Sequence, residues 1–142
     1  MKINTKPYGL LEIDERQLLH FPQGLLGFEG LKDYALMDAN EAPFFWLQSI
    51  ESAETAFILI NPFLFKSDYE ININDDDLKD IKLDSPEKAL IFSIVTVPAD
   101  GSTITANLQG PLVINQETRE GKQAVLSDPR WKIKQEIVGG TD

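Results

Sequence analysis

In the stretch Tyr69–Asn74, YEININ, apolar and polar side chains alternate without a break. Tyr69, Ile71 and Ile73 share one face, and Glu70, Asn72 and Asn74 the other. That is the period of a half-buried strand and not of a helix. TITANL repeats the pattern, with Ile104, Ala106 and Leu108 opposing Thr103, Thr105 and Asn107. AFILI (56–60) and ALIFSIVTV (89–97) are near-continuous apolar runs rich in β-branched residues, as expected of strands covered on both faces. ANLQGPLVIN reads as two short strands meeting at Gly110-Pro111, because proline cannot donate to a ladder and suits a strand start or a bend. Helical evidence is confined to two places. Asp75–Leu83 carries a capping Asn74 or Asp75, acids in its first turn, and Leu78 at helical spacing from Ile81 or Lys82. Ser85-Pro86-Glu87-Lys88 can open a single turn. The chain has 142 residues and no low-complexity linker. The pattern therefore predicts one mostly-β domain over 1–142, a strongly bent antiparallel sheet or partly open β-barrel with one or two short helices, frayed at about 138–142.

The motifs that would carry chemistry fail one by one. There is no cysteine, which removes disulfides, thiolate nucleophiles and zinc–sulfur sites. Gly24, Gly27 and Gly30 recur every third residue in FPQGLLGFEG, but a dinucleotide fingerprint needs a closer first pair and a long helix after it. The other phosphate loop fails at Gln116 and Gln123, which stand where a glycine and a metal-binding hydroxyl are required. The glycines are therefore read as turn residues, one of them in the left-handed region, with Phe21, Leu25, Leu26, Phe28 and Leu31 packing beneath. His20 is the only histidine and has no partner spacing for a metal or a triad, so it reads as a rim residue. NDDDLKDIKLD lacks the calcium-loop residues in both frames: the positions for glycine and glutamate hold Asp77 and Leu83, or Asp80 and Pro86. No catalytic group, cofactor or metal site is expected. The first twenty residues contain no apolar signal core, and Ala89–Val97 is too short to cross a bilayer, so the expected compartment is the cytoplasm.

What remains is charge and aromatic surface. The net charge is −10, which disfavours direct contact with nucleic acid and attracts basic proteins. Eight acids and two bases lie between Asp68 and Glu87, a local balance of −6. Such a run is either a solvated face or a docking surface for a basic protein, with Asp68, Glu70, Asp75, Asp76, Asp77 and Asp80 as its candidates. Phe63 and Phe65 stand just before it, and aromatic area rimmed by charge is typical of protein–protein sites. In PFFWLQSIE both faces are apolar: Phe45 and Leu47 on one, Phe44, Trp46 and Gln48 on the other. That strand is either buried on both sides or keeps one face for a partner.

FPQGLLGFEGLKDYAL, FFWLQSIE, AFILINPFLF and ANLQGPLVINQETREGKQAVL, taken in this order and spacing, resemble the flagellar assembly factor FliW family over about residues 3–126. The resemblance implies a non-enzymatic, β-rich cytoplasmic protein with two partners. One is newly made flagellin. The other is the carbon storage regulator CsrA, an RNA-binding repressor of flagellin translation that the family antagonises allosterically when free of flagellin. Phe44, Trp46, Phe63 and Phe65 are then candidates for an apolar flagellin-receiving surface, and the acidic run for CsrA. The competing class is a small acidic β-barrel that binds a ligand or metal, possibly as an enzyme. A deep, closed pocket with converging polar groups would mark the second class, and an open acidic, partly apolar surface the first.

Overall fold

A computed structural model describes residues 1–137; the expected frayed tail lies outside the described residues. Its strands are β1 (Lys2–Thr5), β2 (Gly9–Glu12), β3 (Leu18–His20), β4 (Asp33–Asp38), β5 (Phe45–Ser49), β6 (Ala56–Ile60), β7 (Ala89–Thr96), β8 (Thr105–Ala106), β9 (Leu112–Asn115), β10 (Gly121–Gln123) and β11 (Gln135–Glu136). The one α-helix among the described residues, α1, spans Asp75–Asp80, and three 3-10 turns cover Glu15–Gln17, Pro62–Leu64 and Pro86–Lys88. All paired strands are antiparallel, in the order β10-β9-β7-β6-β5-β4-β3, with β8 on β7 and β11 on β8. The two end strands almost meet. His20 N donates to Arg119 O at 2.9 Å and a single parallel bridge links His20 to Glu120, but no ladder forms between them and the sheet stays open. The result is the partly open barrel the alternation predicts.

The barrel interior follows from period two. In β4, Tyr34 and Leu36 point inward while Ala35 and Met37 point out; in β5, Phe45 and Leu47 point inward. They meet Leu19, Phe21, Leu25, Leu59, Phe92, Leu112 and Ile114 in one core. Each such side chain stabilises the fold by about 1.5–3 kcal/mol when fully buried. Because the outer face is apolar too, it needs covers. The β1–β2 hairpin packs Ile3 and Ile13 on Ala35 and Met37, with Trp46 and Ile50 beside them. On the far side, the segment after β6 covers Val113 of β9 and the outward residues Ala89 and Ile91 of β7. β8 and β9 flank Gly110-Pro111, where Asn107 Oδ1 accepts from the Gln109 and Gly110 N–H groups and turns the chain.

The row of glycines is a train of turns between β3 and β4. Gly24 N donates to Phe21 O at 2.8 Å, Phe28 N to Leu25 O at 2.7 Å, and Leu31 N to Phe28 O at 3.1 Å. Two of the three glycines, not one, lie in the left-handed region: Gly24 at φ 67 and Gly27 at φ 86. His20 is exposed, as expected of a rim residue, with Nδ1 2.7 Å from Asp33 Oδ1. Among the described residues no helix is long and apolar enough to cross a membrane.

Candidate docking surface

The chain leaves β6 through NPFLF. Asn61 Oδ1 accepts from Phe63 N at 3.0 Å and Pro62 supplies the first position of a 3-10 turn. That turn throws Phe63 and Leu64 outward (42% and 61% exposed), while Phe65 packs inward between two apolar clusters. The chain next passes Tyr69, whose hydroxyl donates to Leu108 O and whose ring stands edge-on to Trp131 at 4.9 Å. Burial holds the Tyr69 hydroxyl far above its usual pKa, so it remains a donor.

From Tyr69 to Asn74 the chain alternates as its sequence demands: Tyr69 buried, Ile71 and Ile73 half-buried, Glu70, Asn72 and Asn74 exposed. It is not a strand of the sheet, however, because no neighbouring strand among the described residues pairs with it. Asn74 then caps α1, with Oδ1 accepting from Asp77 N at 2.8 Å, and three aspartates occupy the first turn. The helix stops three residues before the sequence suggests. Lys82 takes φ 57, Leu83 N donates back to Leu78 O and Lys82 N to Lys79 O. This Schellman end folds Leu83 onto Leu78 and turns both toward the outer face of the barrel. Buried Asn115 of β9 fixes the end, its Nδ2 donating to Ile81 O at 2.9 Å and Lys82 O at 3.1 Å.

The cover is incomplete. An open groove of about 580 Å³ runs between this segment and the sheet, with Ile71, Ile73, Leu78, Leu83, Ile91 and Val113 among its apolar walls. Phe63 stands at its mouth, and Asp75, Asp84 and Lys79 are its charged groups. No group of three histidines or acids is placed to hold a metal ion among the described residues.

The acidic candidates divide sharply. Lys122 of β10 reaches across to Asp77 at 2.5 Å and Asp80 at 2.6 Å, and Gln23 Nε2 adds a bond to Asp80. Burial alone would lower the Lys122 pKa, but the two carboxylates outweigh it and raise the value; the Lys122 hydrogen bond holds Asp80 below the usual carboxylate range. These two aspartates clamp α1 to the barrel. Glu70 pairs with Arg130 at 2.9 Å and Asp68 with Lys66 at 3.4 Å. Among the described residues, Asp75 and Asp76 make no ion pair and stand open to solvent.

The aromatic candidates divide as well. Phe63 belongs to the groove. Phe44 and Trp46 line a separate shallow depression of about 230 Å³ with Ile58, Val97 and Ile104. Phe65 lines neither. The remaining groove walls carry no separate signal in the sequence, since Ile71, Ile91 and Val113 read only as strand residues. The pairings of Lys122 with Asp77 and Asp80, and of Arg130 with Glu70, join residues distant in the chain and carry none at all.

A family model described as FliW protein matches residues 2–137. A flagellar assembly factor FliW of Treponema denticola is 49% identical, covering 97% of this chain and 94% of its own. Those of Treponema pallidum and Leptospira biflexa are 42% and 46% identical, covering 97% and 96% of this chain and 92% and 90% of their own. A crystal structure of the flagellar assembly factor FliW superposes with a TM-score of 0.90 at 34% identity, covering 100% of both chains. An open barrel whose outer face is only partly covered, carried on a sequence this close to those relatives over its length, has one reading: the chain belongs to the FliW family of flagellar assembly factors.

Proposed function

We propose that this protein is a non-enzymatic cytoplasmic factor that holds flagellin and, when free of it, binds CsrA and antagonises it allosterically, relieving repression of flagellin synthesis. The observation that carries the reading is the groove. Its lining is largely apolar, it is partly open to solvent, and exposed Asp75, Lys79 and Asp84 border it, so an apolar protein segment can lie there. An unassembled amphipathic helix of flagellin would lay its apolar face there. CsrA, which carries positive charge to meet RNA phosphates, would be drawn to the same acidic side. Asp75 and Asp76, free of internal partners among the described residues, and Asp68, whose pair with Lys66 is solvent-exposed, are the acids best able to serve it.

Two variants test the two halves. Ile73→Ser leaves a half-buried wall residue polar and should weaken flagellin binding about tenfold by calorimetry, while shifting CsrA affinity less. Asp68→Asn, Asp75→Asn and Asp76→Asn together should slow CsrA association clearly at low salt, and the difference should shrink as the Debye length falls to about 8 Å. Unchanged flagellin affinity in the first variant and an unchanged CsrA on-rate in the second would each sink the corresponding half.

A further inference from the structure

Glu70–Ile73 has the burial pattern of a strand without its hydrogen bonds. The alternation of burial is strict, yet among the described residues no hydrogen bond is made by the backbone N–H or C=O of Glu70, Ile71, Asn72 or Ile73. Main-chain pairing resumes on both sides: Tyr69 N donates to Lys66 O, and Asn74 O accepts from Leu78 N. The gap therefore has sharp ends. It is also held at both ends, by Tyr69 on Leu108 O and Trp131, and by the Asn74 cap of α1. A segment tied down at both ends has already lost part of the conformational freedom that a ladder would cost.

We propose that Glu70–Ile73 is an open strand edge that takes an extended, basic strand of a partner protein by backbone addition. The proposal rests on the reading that a basic protein docks on this face and specifies how it is gripped. Side chains on one face of the incoming strand would join Ile71 and Ile73 at the groove, while those on the other would pass Glu70 and Asn72. The sign of the partner is set by charge. Asp75 and Asp76, without an ion pair among the described residues, stand at one end of the edge, and Glu70 and Asp128 together outnumber the Arg130 they share. A second copy of this chain fits poorly, since its own Glu70 would be brought to the same acidic surface. A helix fits the groove but has no free backbone groups to offer the edge.

The probe is an acetylated, amidated heptapeptide of alternating lysine and valine, with two versions of it N-methylated at every lysine or at every valine. Each is titrated into protein labelled with nitrogen-15 and carbon-13. The parent peptide should slow amide exchange within Glu70–Ile73 at least about tenfold. In a strand, alternate N–H groups face opposite edges, so one methylated version should bind about tenfold more weakly and the other within about threefold of the parent. If both methylated versions match the parent while Asp75→Asn with Asp76→Asn weakens all three, docking by charge stands and strand addition is overturned. Chemical shifts confined to groove side chains, with unprotected amides, would assign the surface to a helix-like occupant and overturn it too. Protection that grows with protein concentration and needs no peptide would assign the edge to a second copy and overturn the basic-strand assignment. No saturable binding at millimolar peptide would overturn both the strand and the charge.

Discussion

The glycines of FPQGLLGFEG offer the sharpest test of how this chain is held, because the three stand in different surroundings. At Gly24 the backbone sits at φ 67, and a Cβ there would lie 2.6 Å from Glu29 Cα and 2.7 Å from Glu29 O. At Gly27 φ is 86 and nothing lies within 4 Å, and at Gly30 there is neither a positive φ nor a neighbour within 4 Å. Alanine at Gly24 therefore meets two costs: about 1–2 kcal/mol for the left-handed conformation and about 1–3 kcal/mol for crowding. The crowding is of the harder kind, since backbone cannot rotate aside as a side chain can. Gly24→Ala should lose about 2–5 kcal/mol, Gly27→Ala about 1–2 kcal/mol, and Gly30→Ala close to nothing. Urea unfolding followed by the fluorescence of Trp46 and Trp131 measures all three. With a slope of about 2 kcal/mol per molar, the Gly24→Ala midpoint should fall by about 1–2.5 M. If Gly24→Ala is no worse than Gly27→Ala, contact with Glu29 contributes nothing and the turn is not packed as described.

Two further predictions concern the cover over the groove. Asn115→Ala removes the amide that closes α1 and the oxygen that accepts from Glu117 and Thr118 N–H groups, so it should cost about 2–4 kcal/mol in urea unfolding and raise amide exchange at Leu83. Lys122→Met removes the ion that lowers the Asp80 pKa, so carbon-13 titration should find that carboxyl below the usual range in the parent and back within it in the variant. Because the folded pKa is the lower one, the pair stabilises the fold above the ordinary carboxylate pKa and loses its effect as pH falls through the depressed value; in the variant that acid-side loss should diminish.

Period two in the residue order determined the barrel. Apolar side chains at every second position need one continuous interior, and runs such as Ala89–Val97 need a cover on the outside as well. The turns at Gly24 and Gly27 and the bend at Gly110-Pro111 were equally legible, because their backbone demands are local. The docking surface was legible only in part. Asp77 and Asp80 are indistinguishable in the sequence from Asp75 and Asp76, and only the fold brings Lys122 against the first pair and leaves the second open. Phe63 and Phe65 are two residues apart in a run that reads evenly apolar, yet the 3-10 turn sends them to different places. YEININ shows the division most clearly. Its alternation is a property of the chain, but a strand also needs a neighbour, and whether one arrives is decided by chain paths far apart in sequence. β6 leaves the sheet at Ile60, and no described strand pairs with the chain between there and α1. A side chain's face is local information, whereas a hydrogen-bond partner or a counter-ion is not.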